Sequence, residues 1–157
     1  MPVRKKRGRM QEKIEQFEQM CRAAGLKLTP QRIAIYTELM KTDSHPSADK
    51  LYGRVRKIFP RISLDTVNRT LITLSQIGAA FVVEGSGDPK RYDGNVETHQ
   101  HFKCVNCRKI YDFRHKPYDN IKVPPSIRKR FDVLRKTVYL EGICDWCRRR
   151  LKKKVRR

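Results

Sequence analysis

The sequence predicts an α+β protein of two small domains, a helical one followed by a small sheet that carries four cysteines. Three observations predict it. Apolar residues recur at helical spacing through the first half, β-like runs begin near residue 80, and two Cys-x-x-Cys motifs lie in the second half. With 157 residues in total, each domain has a thin core, so a metal ion or a partner subunit is expected to add stability.

Four helices are predicted in the first domain. The first covers residues 11–24 and ends at Gly25. Thr29 before Pro30 and Ser63 are expected to cap the second and fourth helices, because hydroxyl side chains accept hydrogen bonds from the first N–H groups of a helix. The segment Ser44–Ser47 is expected to open the third helix in the same way. The apolar positions expected to face inward are Ile33, Tyr36 and Met40 in the second helix, Leu51, Val55, Ile58 and Phe59 in the third, and Leu64, Val67, Leu71 and Leu74 in the fourth.

A β-hairpin is predicted after the fourth helix. Residues 80–84 and 90–93 are β-like, and a Gly-rich turn separates them. The outer face of the fourth helix is polar and carries Arg69. Helices followed by such a hairpin are typical of a winged helix, in which a helix of this kind enters the major groove of DNA. We therefore expect a winged-helix DNA-binding domain at residues 11–93, preceded by a basic arm at residues 1–10.

The second domain is expected at residues 99–147, after a hinge at residues 94–98. Its β-like runs are residues 101–103, 109–113 and 131–140, and a short helix is expected to start near Ser126. A basic tail, residues 148–157, follows.

The charge of the chain indicates a polyanionic partner. There are 37 Lys and Arg against 16 Asp and Glu, a net charge of +21, and nucleic acid is the leading candidate. The basic ends could instead be solubilising tails. Attachment to a membrane surface is disfavoured because no amphipathic helix with aromatic anchors accompanies the charge. No apolar run of about 18 residues is present, so we expect a cytoplasmic protein without membrane association.

The cysteines predict a structural zinc site. Cys104, Cys107, Cys144 and Cys147 form two pairs, each with the spacing of a zinc knuckle. Two disulfides, or four unrelated cysteines, are the alternatives, although nothing indicates export to an oxidising compartment. Four thiolates leave no open coordination position, so catalysis at this site is not expected. A redox switch through thiol oxidation and zinc loss remains open.

A second set of metal-ligand residue types surrounds the first cysteine pair. Asp93, His99, His101 and Asp112 lie within 20 residues, and the two imidazoles point the same way if they lie on a strand. Such nitrogen and oxygen ligands suit Fe(II), Mn(II) or Zn(II). The alternative is that these are ordinary surface groups.

Several ordered motifs together resemble the ferric uptake regulator family. They are Gly25–Arg32, His45–Asp49, Ile62–Val67, His99–Cys107 and Ile110–Phe113. The resemblance implies a homodimer that binds an inverted-repeat operator in double-stranded DNA when a regulatory metal is bound. It places that metal on His45, Asp93, His99, His101 and Asp112.

The acids in this set favour one branch of the family. Iron sensors tend to have Glu where this chain has Asp93 and Asp112, whereas peroxide-responsive repressors resemble it in having Asp. This implies a repressor in which Fe(II), or Mn(II) in an unreactive form, is the regulatory ion and peroxide oxidises His45 or His99. An iron- or zinc-responsive repressor is the alternative. A non-haem metal enzyme and a zinc-stapled RNA-binding module are alternatives from other classes, but no small-molecule substrate or catalytic residue is predicted.

Seven residues are candidates for DNA contacts. They are Lys27, Arg32, Ser63, Thr66, Asn68, Arg69 and Thr70. Arg69 and Asn68 have side chains that pair with base edges, and the hydroxyls more often contact phosphate. Lys27 and Arg32 lie where the resemblance implies backbone or minor-groove contacts, and they could instead be solvated cations.

Overall fold

The computed structural model describes residues 3–83 and 89–155, and for residues 3–9 and 154–155 it describes the backbone alone. The chain forms two compact units, Met1–Val96 and Glu97–Arg157. Within the described ranges, no helix is both long and apolar enough to cross a lipid bilayer.

The first unit consists of four helices and a two-stranded sheet. The helices are α1 (Val3–Ala23), α2 (Pro30–Met40), α3 (Ala48–Val55) and α4 (Leu64–Gln76), and the strands are β1 (Phe81–Val83) and β2 (Arg91–Asp93). The strands pair antiparallel, as the predicted hairpin requires, with Val82 opposite Tyr92. The turn predicted at residues 85–89 lies mostly outside the described residues.

The predicted caps of α2 and α4 are confirmed, and within the predicted start at Ser44–Ser47 it is Ser47 that caps α3. The side chains of Thr29, Ser47 and Ser63 accept hydrogen bonds from the N–H groups of Arg32, Lys50 and Thr66. Each bond satisfies a donor at a helix start that has no partner within the helix. These caps fix where the three helices begin and so set the direction of their faces.

The core of the first unit uses somewhat different positions from those predicted. In α2 the buried residues are Ile35, Tyr36 and Leu39, so the assignment of Ile33 to the inward face is wrong. Met40 is partly buried and packs against the core, as predicted. The predicted inward positions Ile58 and Leu64 are also wrong: they are 52% and 39% exposed. The reason for Ile58 is that α3 ends at Val55, so the helical spacing no longer holds beyond it. The predicted core positions Leu51, Val55, Val67, Leu71 and Leu74 are buried.

Helix α1 begins earlier than predicted. It starts at Val3 rather than at residue 11, so much of the segment assigned to a separate basic arm is helical. Lys and Arg are good helix formers, and Phe17 and Cys21 anchor the helix in the core.

The second unit is a three-stranded sheet with three helices. In chain order the elements are β3 (Gln100–Cys104), β4 (Ile110–Phe113), α5 (Lys116–Asp119), α6 (Pro125–Arg128), β5 (Tyr139–Gly142) and α7 (Asp145–Val155). The strand order is β4-β3-β5, with β3 antiparallel to β4 and parallel to β5. The central strand β3 therefore lies between both neighbours, and its last residue is Cys104.

One prediction for the second unit is wrong, and one segment has a secondary structure that was not predicted. A strand was expected over residues 131–140, but β5 begins only at Tyr139. Residues 131–137 are exposed and lie outside the described strands. The segment predicted as a basic tail is helical, since α7 continues from the second cysteine pair to Val155. Strand propensity depends on a partner for the backbone, and local composition does not reveal one.

Candidate functional site

The four cysteines of the second unit form one cluster. Cys104 ends β3, Cys107 follows in a turn, Cys144 lies after β5, and Cys147 is in the first turn of α7. One ligand atom from each lies within 4.8 Å of the others, and the sulfurs of Cys107 and Cys144 are 3.8 Å apart. Four sulfurs at about 2.3 Å from a central zinc ion stand about 3.8 Å from one another. The cysteines are free, which argues against the disulfide alternative, and the cluster fits tetrahedral zinc.

Hydrogen bonds to the sulfurs favour the thiolate form. The N–H of Cys144 donates to the sulfur of Cys104, and the side-chain amide of Asn106 donates to that of Cys147. Burial alone would raise the pKa of Cys104, but hydrogen bonds from surrounding backbone N–H groups lower this pKa to about 6. The hydrogen bond from Tyr111 to Cys144 raises the pKa of the phenol to about 12. Donors of this kind orient metal ligands. At Cys147 the amide of Asn106 lowers the pKa, but burial and the other three cysteines outweigh it and raise this pKa to about 12.

The second unit also brings together three of the nitrogen and oxygen ligands. Strand register puts His101 opposite Asp112, and His99 immediately precedes β3. The Nε2 atoms of the two histidines are 3.0 Å apart, and they lie 3.7 and 3.5 Å from the Asp112 carboxylate. Ligand atoms at about 2.1 Å from one ion are about 3.0–3.4 Å apart. The spacing therefore fits three ligands of a single divalent ion.

A backbone carbonyl fixes the tautomer of His99. Its Nδ1 lies 2.7 Å from the carbonyl oxygen of Glu97. A carbonyl oxygen can only accept, so Nδ1 carries the proton and the lone pair of the neutral ring is on Nε2. This is the arrangement in which a histidine ligates a metal through Nε2, with its other nitrogen held by the protein.

The first unit holds the remaining two ligand candidates next to each other. The Nε2 of His45 is 3.7 Å from the Asp93 carboxylate, and both side chains are buried. His45 has a φ of 48°, a left-handed conformation that is uncommon for residues other than glycine, although histidine adopts it more often than most. Arg91 holds this turn, because its guanidinium donates to the carbonyl oxygens of Ser44 and His45. The N–H of Asn95 donates to Asp93 over 2.8 Å.

On α4 the structure separates accessible from buried candidates for DNA contact. Asn68 and Arg69 are exposed. The guanidinium of Arg69 lies 2.9 Å from the Asp65 carboxylate, one helical turn away. Thr70 is buried, so its assignment to the outward face is wrong: it lies one turn below the buried Val67 and joins the interior.

The other candidates for DNA contact have structural partners. The hydroxyls of Ser63 and Thr66 hydrogen-bond to each other while Ser63 caps α4. Arg32 donates to the carbonyl oxygen of Lys27, which fixes the loop before α2. Lys27 itself is exposed.

Sequence reasoning missed three residues that position ligands. Arg91 holds the turn at His45, and Tyr111 and Asn106 donate hydrogen bonds to cysteine sulfurs. Asn106 lies inside the first cysteine pair, so its position was a usable signal. Arg91 and Tyr111 gave none, because their partners are 46 and 33 residues away in the sequence.

Comparison with known proteins yields consistent matches. The pattern of the ferric uptake regulator family matches residues 23–141. The peroxide-responsive repressor of Staphylococcus epidermidis is 32% identical over 135 residues, covering 86% of this chain and 90% of that protein. The corresponding repressor of Staphylococcus aureus is 30% identical over 138 residues, covering 88% and 93%.

Solved structures match as well. The Campylobacter jejuni peroxide stress regulator has 29% identity and a TM-score of 0.63, covering 82% of this chain and 97% of that one. The Helicobacter pylori ferric uptake regulator has a TM-score of 0.72 at 22% identity, covering 88% and 93%, and that likeness concerns the fold alone.

Proposed function

Since this chain belongs to the ferric uptake regulator family, we propose that it is a metal-dependent transcriptional repressor that releases double-stranded DNA in response to hydrogen peroxide. Two lines support this. The relatives at 30–32% identity are peroxide-responsive repressors. The regulatory ligands are histidines and aspartates, with Asp93 and Asp112 at the two positions that the resemblance associates with peroxide sensing. Regulation rather than catalysis is the activity of these relatives, and we propose that the protein acts in the cytoplasm.

The observation that carries the proposal is the convergence of His99, His101 and Asp112 at ligand spacing. We propose that His45 and Asp93 complete the coordination of the same ion. Asp93 and His99 are six positions apart in the sequence, so the chain allows at most about 22 Å between their Cα atoms.

A shared ion gives a switch. Ligands from both units would limit the angles that the units adopt, and the ion shifts that population by its preference for the closed arrangement. Fe(II) bound there would supply the electrons that cleave peroxide, and the imidazoles of His45 and His99 are the candidates for oxidation. Mn(II) or Zn(II) in the same ligands would favour DNA binding without that sensitivity. Oxidation of one of these imidazoles would lower its affinity for the metal and so reduce the population of the closed arrangement.

For DNA recognition we propose that the first unit acts as a winged helix and that α4 enters the major groove. Asn68 and Arg69 are exposed on α4 and suit base contacts. Asp65 pre-orients Arg69 across one turn. Lys27 and Arg32 would contact the DNA backbone. The hydroxyl groups of Ser63 and Thr66 would hydrogen-bond to phosphate with the capacity that the helix cap leaves unused. Thr70 is not included, because it is buried.

We propose that the second unit forms a homodimer and that the dimer reads an inverted repeat. Large apolar side chains are exposed between α6 and β5: Phe131 is 56% exposed and Leu134 is 96% exposed. Exposed apolar patches of this kind mark protein interfaces. A two-fold pair of these units would present two copies of α4 to successive half-sites.

The test combines DNA binding with mass spectrometry. The zinc-loaded protein is charged with Fe(II), Mn(II) or excess Zn(II), and its affinity for the duplex upstream of its own gene is measured with and without stoichiometric hydrogen peroxide. We expect peroxide to abolish binding only for the Fe(II) form and to add one oxygen to a peptide that contains His45 or His99. The Mn(II) form is the control.

Two outcomes contradict this proposal. If affinity follows metal concentration but ignores peroxide, the protein is an iron- or zinc-responsive repressor. If no metal changes the affinity for duplex DNA, the regulatory role of the histidine and aspartate ligands is wrong.

A further inference from the structure

The final helix, α7, carries an unusual concentration of positive charge. From Asp145 to the last residue there are eight Lys and Arg and one acid. The described basic side chains of α7 are all exposed: Arg148, Arg149, Arg150, Lys152 and Lys153. None of the functions proposed so far uses this helix.

The charges are arranged on one broad side of the helix. At about 100° per residue, the five cations cover an arc of about 200°. Cys147 and Leu151 occupy the remaining side. Cys147 is fully buried in the cysteine cluster, so the basic arc points away from the sheet.

The cysteine cluster also fixes the first turn of α7. Cys147 lies within its first turn, and the N–H of Arg148 donates to the carbonyl oxygen of Cys144 over 2.9 Å. Runs of like charge are usually disordered tails. Here the zinc ligands hold the first turn, so the cations are presented from a defined helical surface.

Much of this charge has no paired acid among the residues that the structure describes. Asp145 pairs with Arg148 and Arg149. Among the residues that the structure describes, no acid forms an ion pair with Arg150, Lys152 or Lys153. Like charges one turn apart, such as Arg149 and Lys153, repel each other and oppose helix formation. A polyanion would relieve this repulsion.

The side chains of α7 suit duplex DNA better than a membrane or a single strand. Its two large apolar residues, Trp146 and Leu151, are about 140° apart around the helix, so they form no apolar stripe that could enter lipid. Trp146 is the only aromatic residue of the helix, and the guanidinium of Arg150 lies 4.5 Å from the centre of its ring. Single-strand binding sites usually stack successive bases on several aromatic rings.

We propose that α7 binds the phosphate backbone of duplex DNA, as a contact in addition to the major-groove contact of α4. It rests on the proposed function in one respect, that duplex DNA is the partner of the protein. The contact is independent of sequence, because Lys and Arg on phosphate carry no base information. It would raise affinity for every duplex and leave the preference for an operator unchanged.

The test uses the full-length, zinc-loaded protein with Mn(II). The variant Arg150→Gln/Lys152→Gln/Lys153→Gln removes three charges and keeps the residues that pair with Asp145. The control Lys122→Gln/Arg128→Gln/Lys129→Gln removes three exposed charges of the same unit elsewhere. Affinity is measured between 50 and 200 mM salt for a 30-base-pair duplex of random sequence and for the duplex upstream of the protein's own gene. Single-stranded RNA of equal length and phosphatidylserine vesicles are the other probes.

The expected result is a smaller salt dependence for the α7 variant on both duplexes. Each lost phosphate contact lowers the slope of log affinity against log salt by about 0.9, so three contacts lower it by about 2.7 per chain. The ratio of wild-type affinity to variant affinity then falls about 40-fold between 50 and 200 mM salt. The midpoint temperature of thermal unfolding should be the same or higher for the variant than for the wild type, since repulsion between like charges is removed.

Equal slopes for wild type, variant and control would overturn the proposal. So would a loss of RNA or vesicle binding with unchanged duplex binding. The proposed repressor function fails by a different result, namely a wild-type protein that does not prefer its own upstream duplex over the random one with any metal.

Discussion

Loss of one zinc ligand should unfold the second unit and spare the first. The perturbation is Cys144→Ser. Among the described residues of the second unit, the buried apolar set is Cys104, Ile110, Cys144 and Cys147. Ile110 is thus the one buried aliphatic side chain there, and its burial contributes about 1.5–3 kcal/mol. Structural zinc in small domains contributes about 10–16 kcal/mol of binding free energy. Without the ion, the unit lacks the free energy of about 5–15 kcal/mol that keeps a domain folded.

The assay can follow each unit separately. Trp146 is the single tryptophan of the chain and lies between two zinc ligands, so its fluorescence reports on the second unit alone. Hydrogen exchange, read by peptide, reports on both. For Cys144→Ser we expect zinc content near zero, a Trp146 emission spectrum that differs from that of the wild type and rapid exchange in β3 and β4, with α2 and α4 still protected.

The matched control is Cys21→Ala, which changes the remaining cysteine of the chain. Cys21 lies in the core of the first unit, so this variant should keep one zinc per chain and the Trp146 spectrum of the wild type. If Cys144→Ser lost zinc but β3 and β4 stayed as protected as in the wild type, the reasoning about the thin core would be refuted.

Three further substitutions test local features. Gly94→Ala places a methyl group 2.6 Å from the sulfur of Met40, and we expect it to lower the free energy of unfolding of the first unit by about 1–3 kcal/mol in urea titrations; an unchanged midpoint would contradict the packing. Arg108 has a φ of 58°, so Arg108→Gly should stabilise the second unit by about 1 kcal/mol, measured by thermal unfolding, and any destabilisation would count against that strain. Tyr111→Phe removes a hydrogen bond that helps to lower the pKa of Cys144. The pKa of that thiol then rises and protons compete better with zinc, so zinc release during acid titration should move to higher pH; a shift to lower pH, or none, would show that the bond is unimportant.

Local chemistry explains what the sequence could predict. The caps at Thr29, Ser47 and Ser63 depend only on residues a few positions away, and all three are present. The two-residue period of a strand was enough to place His99 and His101 on one side, and their Nε2 atoms converge.

Features that depend on distant partners were not predictable in the same way. Residues 131–137 have a β-like composition but lie outside the described strands, and α7 is helical although its charges repel. In α2, Ile35 rather than Ile33 faces the core, because the surrounding helices decide which side of the apolar stripe is covered. The left-handed turn at His45 depends on Arg91, 46 residues later in the sequence.

The most direct test of the account is whether one ion needs ligands from both units. Mn(II) affinity of the zinc-loaded protein is measured by electron paramagnetic resonance for the wild type, for His45→Asn and for the control His115→Asn. Asn tolerates the left-handed conformation of residue 45, so the first unit should stay folded. We predict one Mn(II) per chain in wild type and control, and at least about a tenfold loss of affinity in His45→Asn. Wild-type affinity in His45→Asn would mean that the second unit holds the ion alone, and the switch between the units would be wrong.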